Sequence, residues 1–202
     1  MTRTITYEAA ARAQFQAHQQ MVQRIIDEQL PVVARQTEVL VACYQRGNKS
    51  IWCGNGGSAA DAQHLAAEFV GRYLLDRPPL PALALHTDTS ALTGIANDYG
   101  YEHAFARQAE AHLVPGDVLI CMTTSGHSLS IVRAAEVARR KGCEVLGLLG
   151  RDGGIVAPLC DHALIVPAQP SFVIQEVYMV VGHFLCDQVE QAMFGPEALT
   201  DE

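Results

Sequence analysis

From residue 47 onward, short apolar runs alternate with longer amphipathic segments. The apolar runs have the length of buried strands and cover 51–53, 82–85, 118–122, 145–149 and 163–166. The amphipathic segments have helical periodicity and cover 58–73, 128–141 and 171–193. Strands and helices in alternation indicate parallel strands with right-handed crossovers and helices on both faces of the sheet. The pattern predicts an α/β fold, a doubly wound parallel sheet of five strands.

The first 46 residues have a different pattern. Pro31 interrupts a helical spacing and favours two helices over one; the apolar positions are Tyr7, Ala11, Phe15, Met21, Ile25 and Leu30. The chain thus divides into a helical segment, 1–46, and the α/β part, 47–202, within one structural domain. The first helix has no sheet of its own to cover. We expect its apolar stripe to pack on another subunit; packing on its own domain is the alternative.

Composition narrows the class of protein. A chain of 202 residues can bury one core without crosslinks, and its formal net charge of −8 argues against binding to a nucleic-acid backbone. The basic run 139–141 ends a predicted helix, where cations suit the helix dipole. No run approaches the roughly 18–20 apolar residues of a membrane span, and the polar first residues predict no signal peptide. Six scattered cysteines are typical of a reducing compartment, so we expect a cytoplasmic protein.

Two glycine- and hydroxyl-rich loops directly follow predicted strands. The loop after the first strand is Gly54-Asn55-Gly56-Gly57-Ser58, and the loop after the third is Thr123-Thr124-Ser125-Gly126-His127-Ser128. In open α/β sheets, ligands bind beyond the carboxyl ends of the strands. Glycines allow close approach of a ligand, while hydroxyls and free helix-start N–H groups can bind an anion. The two loops together indicate a phosphorylated ligand.

The alternative is that these loops are only turns and helix caps, with Ser58 and Ser128 each capping a helix. Neither loop has the lysine of a Walker A motif or the spacing of a dinucleotide-binding fingerprint. We therefore expect no nucleotide cofactor.

Four side chains on two predicted helices can carry chemistry. His64 and Glu68 are four residues apart, and Gln175 and His183 are eight apart, so each pair shares a helix face. A carboxylate and an imidazole suit the proton transfers of an isomerase. The same four side chains could instead hold zinc, and a pair at this spacing also occurs on ordinary helix surfaces. The other histidines are interpreted as structural or solvated: His18, His86, His103, His112 and His162.

Taken together, these motifs resemble the SIS-domain phosphoheptose isomerases from about residue 45 to the C-terminal helix. The resemblance is carried by segments 53–58, 61–69, 71–73, 77–78, 81–82, 96–100, 116–119, 150–154 and 174–176, and by His183. It implies a SIS fold with flavodoxin-like strand order. It also implies an aldose–ketose isomerase that converts sedoheptulose 7-phosphate to D-glycero-D-manno-heptose 7-phosphate for the heptose of the lipopolysaccharide core.

The resemblance also implies roles for individual residues. Glu68 matches the catalytic carboxylate and His183 the catalytic imidazole. Substrate contacts are implied for Asn55, Gly56, Gly57, Ser58, Glu68, Asn97, Asp98, Thr123, Thr124, Ser125, Ser128 and Gln175. The zinc ligands of metal-bound members match His64, Glu68, Gln175 and His183. The family is tetrameric, with N-terminal helices in a central bundle and active sites shared between subunits.

The chain departs from the family pattern at four positions. Thr123 replaces a serine and His127 an asparagine in the hydroxyl loop, Val173 replaces a residue that is often basic, and Tyr178 replaces a frequent histidine. We expect these changes to touch the rim of the site and to affect the choice of sugar.

Two other functions compete with the enzyme. A SIS relative is a tetrameric scaffold that binds the bacterial replication initiator and lacks the catalytic glutamate, whereas Glu68 is present here. SIS domains that sense sugar phosphates usually come with a DNA-binding helix-turn-helix domain, for which this chain has no room. The residues favour the enzyme.

Overall fold

The computed structural model describes residues 6–196, and its centre is a sheet of five parallel strands. The strands are β1 (Ser50–Gly54), β2 (Ala82–Ala84), β3 (Val118–Thr123), β4 (Glu144–Gly150) and β5 (His162–Val166). Their spatial order is β2-β1-β3-β4-β5, and every neighbouring pair is parallel. The predicted doubly wound α/β fold is confirmed. The point where the strand order reverses lies beside β1 and β3, and the two glycine- and hydroxyl-rich loops follow these strands.

Alternate residues of the strands serve two separate hydrophobic cores. In β1, Trp52 enters the core formed with the N-terminal helices and with α3 (Gly57–Val70) and α7 (Ser171–Phe194), while Ile51 and Cys53 enter the core on the opposite face. All five residues of β1 and all six of β3 are buried, because helices cover both faces of the sheet. The helices are α1 (Tyr7–Glu28), α2 (Leu30–Gln45), α3 (Gly57–Val70), α4 (Thr89–Tyr99), α5 (Ala104–His112), α6 (Leu129–Arg140) and α7 (Ser171–Phe194).

The N-terminal segment forms two helices, as predicted. The break lies at Gln29, two residues before Pro31, because proline is tolerated in the first turn of the second helix. Gln29 is tied to β5: its side-chain nitrogen donates to the Ile165 carbonyl, and its oxygen accepts from the Ile165 N–H at 2.8 Å. Only Ile25 of α1 is fully buried, and Phe15 is 70% exposed.

The segment between β2 and β3 contains helices that the sequence pattern did not predict. These are α4, α5 and a short 3-10 turn at Tyr101–His103. Helix α3 also ends three residues earlier than predicted, at Val70. Across residues 6–196, no helix combines the length and apolar character needed to span a membrane.

Candidate functional site

The hydroxyl loop, residues 123–128 after β3, surrounds a small cavity at the carboxyl edge of the sheet, where the parallel strands end. The cavity is about 70 Å³ in volume and is lined by Asn55, Ser58, Met122, Thr123, Thr124, Ser125 and Ser128. Gly126 brings the loop against the neighbouring loop after β4: its φ is +69°, and a side chain there would collide with the Gly153 carbonyl. The structure therefore brings together the predicted phosphate-binding residues and two residues of the loop after β1.

The serine side chains of these loops make no capping hydrogen bonds. The N-cap of α3 is Gly56, and Ser58 lies in the first turn with no capping hydrogen bond. Ser128 is the N-cap of α6, yet its side chain makes no capping bond and instead lies 3.5 Å from Thr123 Oγ1. The distance between Thr123 Oγ1 and Ser125 Oγ is 3.4 Å, which is long for a hydrogen bond between hydroxyls. This arrangement leaves hydroxyl groups and helix-start N–H groups for an anion.

Other elements hold the hydroxyl loop and the loop after β1 in place. The buried Tyr178 hydroxyl donates to the Thr123 carbonyl at 2.9 Å, and Ser171 Oγ donates to Thr124 Oγ1 at 3.2 Å. Asn55 donates to Ser130 Oγ at 3.1 Å and accepts from the Tyr101 hydroxyl at 2.7 Å. The second substrate contact predicted around Asn97 is less developed. Asn97 and Asp98 are exposed and hydrogen-bond each other, and neither lines the cavity.

A second group of side chains, the His64 group (His64, Glu68 and His183), lies between the last turns of α3 and the middle of α7. His64 Nε2 is 3.1 Å from His183 Nε2 and 3.3 Å from Glu68 Oε1. The ligand atoms of all three residues lie within 4.8 Å of one another. Tyr73 closes one side of this group, because its ring stacks on His183 with centroids 5.6 Å apart and planes 17° apart.

This group fits a zinc ion. Ligand atoms at the usual distance from a tetrahedral zinc ion are roughly 3.3 Å apart, close to the two spacings measured around His64 Nε2. Two imidazoles and a carboxylate, with every pair of ligand atoms within 4.8 Å, are also a donor set that zinc prefers.

Gln175, the fourth predicted ligand, lies elsewhere along α7. Eight residues separate it from His183, which corresponds to about 12 Å along the helix axis. Its amide packs on Gly57 at the start of α3, where any side chain would collide with it. Gln175 therefore connects the loop after β1 to α7, between the hydroxyl loop and the His64 group.

Asp61 is a polar residue next to His64, and no role for it was predicted from the sequence. It lies on α3 one turn before His64, and its buried Oδ2 has no hydrogen-bond partner. Burial raises the pKa of Asp61 to about 6, although His64 partly offsets the rise. The signal in the sequence was its spacing of three from His64, which places both on neighbouring positions of one face.

The four departures from the family pattern do not all lie at the rim. That expectation is wrong for Val173, which is 5% exposed, and for Tyr178, which is fully buried, because both face the core. Thr123 is also largely buried, at 4% exposure. His127 is exposed at the rim, and its ring Nδ1 lies 2.6 Å from the carbonyl of Ser125.

The chain is similar to a known protein family and to individual members of it. Residues 14–150 match the family model described as the SIS domain. Phosphoheptose isomerase from Trichlorobacter lovleyi is 49% identical over 182 residues, which are 90% of this chain and 93% of the relative. Phosphoheptose isomerase from Solidesulfovibrio magneticus is 52% identical over 92% of this chain and 86% of its own.

Solved structures agree. The phosphoheptose isomerase of Neisseria gonorrhoeae superimposes with a TM-score of 0.86 at 38% identity, over 92% of this chain and 100% of that one. The enzyme of the same name from Francisella tularensis gives a TM-score of 0.88 at 33% identity, over 93% and 100% of the two chains.

Proposed function

This chain belongs to the phosphoheptose isomerases of the SIS-domain family, and we propose that Glu68 and His183 carry out its reaction. The chain is a sugar-phosphate isomerase of heptose biosynthesis that interconverts sedoheptulose 7-phosphate and D-glycero-D-manno-heptose 7-phosphate. The observation that carries the proposal for the residues is the grouping of Glu68, His64 and His183 on helices that also border the hydroxyl loop. The product would supply heptose for the lipopolysaccharide core.

The isomerisation moves one proton between carbons and one between oxygens. Glu68 removes a proton from C1 of the ketose, the electron pair forms the C1–C2 double bond of an enediol, and the protonated carboxyl returns a proton to C2. His183 moves the hydroxyl proton from O1 to O2, which leaves the aldehyde at C1 and balances the reaction. Glu68 offers its Oε1 to the His64 group and keeps Oε2 for the carbon-bound proton.

The phosphate end of the sugar binds at the hydroxyl loop. Thr123, Thr124, Ser125 and Ser128 supply hydroxyl and backbone donors, and Asn55, Gly56, Gly57, Ser58, Asn97, Asp98 and Gln175 contact the sugar. The support is the cavity at the start of α6, where the aligned N–H groups of the helix favour a negative charge.

His64, Glu68 and His183 would hold the zinc ion. Gln175 is the fourth ligand that the resemblance implies, and it lies about 12 Å from His183 along the axis of α7. Zinc, when bound, polarises the carbonyl and hydroxyl oxygens of a substrate. His183 Nε2 points into the group, so the imidazole serves as a ligand when zinc is present and as a proton carrier when it is absent.

The chain would work as a homotetramer in the cytoplasm. Exposed apolar side chains of α1, α2 and α7 line one continuous groove, among them Ile26, Leu30, Val180 and Phe184. Such a face is expected to be covered by another copy. Light scattering should give four protomers for the full chain, and a monomer at micromolar concentration would contradict the proposal.

The decisive experiment follows the reaction directly. Purified protein is incubated with sedoheptulose 7-phosphate, and the aldose signal is recorded by NMR after chelation and again after zinc is added back. Formation of the heptose aldose supports the proposed activity, and higher turnover with zinc supports the metal. A protein that releases no aldose in either state would overturn the proposal. The scaffold alternative is not favoured, because the carboxylate at Glu68 is present and grouped with both histidines.

A further inference from the structure

A buried ion pair links α7 to the segment that follows α3, next to the His64 group. Arg77 Nε donates to Glu190 Oε1 at 2.9 Å, and the two side chains are 2% and 0% exposed. A buried ion pair contributes little net stability unless its remaining hydrogen-bonding capacity is used. In this pair it is used almost fully, and each partner holds a different part of the site.

Glu190 holds the strap that follows α3, residues 71–80. Its carboxylate accepts the backbone N–H groups of Tyr73 at 3.0 Å, Leu74 at 2.6 Å and Leu75 at 2.9 Å, besides the Arg77 guanidinium. Burial acts to raise the pKa of Glu190, but these N–H groups and Arg77 outweigh it, so the net pKa lies below its usual range. The carboxylate is thus ionised and fixes the backbone from which Tyr73 extends.

Arg77 holds the last turn of α3. Its guanidinium donates to the Glu68 carbonyl at 2.9 Å and to the Phe69 carbonyl at 2.7 Å. These carbonyls belong to the end of a helix, where no intrahelical donors are available and a cation is favoured by the dipole. The residue whose carboxylate faces His64 is therefore anchored through its own backbone.

The contacts of Glu190 also bear on His183. Glu190 is seven residues after His183 on α7, which is two turns along one face. The strap that it fixes holds the Tyr73 ring nearly parallel to the His183 imidazole, with ring centroids 5.6 Å apart. The pair consequently sets two relative positions: Glu68 against His64, and Tyr73 against His183.

We propose that Arg77, Glu190 and Tyr73 are positioning residues, which fix the side chains of Glu68 and His183 for zinc binding and proton transfer. The inference rests on the proposed function for its catalytic consequence. Its consequence for metal binding is independent of activity. Substitution of residues that orient metal ligands in this way typically lowers metal affinity or activity about 10- to 100-fold.

The test uses Tyr73→Leu and Arg77→Lys in the full chain. Tyr73→Leu keeps the backbone N–H bonded to Glu190 and removes only the ring. Arg77→Lys keeps the charge, but an ammonium cannot reach Glu190 and both carbonyls with the geometry of a guanidinium. We expect the zinc dissociation constant, measured by chelator competition, to rise about tenfold or more in each. We expect kcat to fall with KM for sedoheptulose 7-phosphate nearly unchanged.

Two further variants separate positioning from general stability. Tyr73→Phe keeps the stacked ring, so we expect its zinc affinity and kcat to match those of the unchanged chain and not those of Tyr73→Leu. Asp117→Asn removes a carboxylate that is equally buried and also paired with a cation, Lys49, but lies at the opposite edge of the sheet. It should lower the melting temperature without changing zinc affinity or kcat.

The possible outcomes are distinct. Zinc affinity and kcat that follow the melting temperature alone, with Asp117→Asn behaving like Arg77→Lys, would overturn the inference. Unchanged zinc affinity in Tyr73→Leu would overturn it as well. If the unchanged chain releases no aldose, the proposed function fails, while the zinc measurements still decide whether these residues position the group.

Discussion

Polar side chains lie both where the strands begin, at the amino edge of the sheet, and where the strands end, at the carboxyl edge. Their hydrogen-bonding capacity is used to different extents. At the amino edge, the buried Asp117 carboxylate accepts from the Lys49 ammonium at 2.6 Å, the Lys49 N–H, the Asn48 amide and the Val114 N–H. At the carboxyl edge, Thr123 Oγ1 and Ser125 Oγ each accept one backbone N–H, at 3.3 and 3.2 Å, and otherwise make only long hydroxyl contacts of 3.4–3.5 Å. Asp61 Oδ2 has no partner.

The difference shows which polar groups are structural. A buried polar group that has its full set of partners stabilises the fold and has no capacity left for a ligand. Polar groups that lack partners cost free energy unless something else binds them. The amino edge closes the fold, and the carboxyl edge is arranged for a charged substrate. Changes at the two edges should therefore have separable effects on stability and on catalysis.

The largest effect is expected for Glu68→Gln at the carboxyl edge. Glutamine keeps the volume but cannot accept a carbon-bound proton at neutral pH, so kcat should fall about 100- to 10,000-fold with little change in KM. The measurement is turnover of sedoheptulose 7-phosphate with saturating zinc, because added metal corrects a binding defect and not a missing base.

The control for this variant is Glu136→Gln, which changes an exposed carboxylate on α6. It should leave kcat unchanged. A Glu68→Gln protein with full activity would move the reaction to another base and favour a scaffold function for the chain.

Ser125→Ala should have the next largest effect. A hydrogen bond to a charged group is worth about 1.5–3 kcal/mol, so KM for the sugar phosphate should rise roughly tenfold or more. Thr37→Val serves as the control, because the Thr37 hydroxyl bonds only the Val33 carbonyl of its own helix, at 2.9 Å. An unchanged KM in Ser125→Ala would place the phosphate away from this loop.

Asp117→Asn tests the other edge. Removal of the charge leaves the Lys49 ammonium and several N–H groups poorly matched, at a cost of about 2 kcal/mol. For a chain of this size the melting temperature should fall by about 4–8 °C. We expect kcat and KM to stay as in the unchanged chain. A loss of kcat without a loss of stability would remove the distinction between the edges.

The pH dependence of the melting temperature should reveal how much the Asp117 carboxylate contributes to stability. Burial acts to raise the pKa of Asp117, but Lys49, the Val114 N–H and Asn48 outweigh it, and the net pKa is lowered. A folded-state pKa below the unfolded one adds stability that is present above about pH 4 and lost as the pH falls further. Asp117→Asn should therefore show a shallower loss of stability on the acid side. An unchanged acid slope would mean that other carboxylates dominate it.

The central strands β1 and β3 could be predicted from sequence because all of their residues are buried. In β3 every residue is buried, so the apolar run 118–122 nearly coincides with the strand Val118–Thr123. Helix α4 was not predicted, although Leu92, Ile95, Ala96 and Tyr99 have helical spacing, because this stripe is short and none of the helix's residues is buried. Helix α5 buries mostly small residues, including Ala104, Ala106 and Ala109, which give only a weak periodic signal.

The candidate site was predictable only in part. Helical spacing placed His64 beside Glu68, and ligand chemistry suggested His183 and Gln175 as their partners, but the contact between α3 and α7 is not encoded in either helix alone. Spacing also placed Gln175 and His183 on one face, but the eight residues between them separate the two side chains along α7. The Arg77–Glu190 pair joins positions 113 residues apart, a contact that depends on the packing of α7 against the strap and has no local signature.

The smallest effect is expected for Tyr178→Phe, which removes the hydroxyl that donates to the Thr123 carbonyl. Loss of one neutral buried hydrogen bond costs about 1 kcal/mol, or a fall of about 2–4 °C in melting temperature. Tyr44→Phe is a matched change near the amino edge, where the buried hydroxyl lies 2.7 Å from Ser50 Oγ. Both variants should lose similar stability, but only Tyr178→Phe should raise KM, by a few-fold, because the Thr123 backbone begins the hydroxyl loop. Equal KM values in the two variants would show that the carbonyl bond has no influence on the loop.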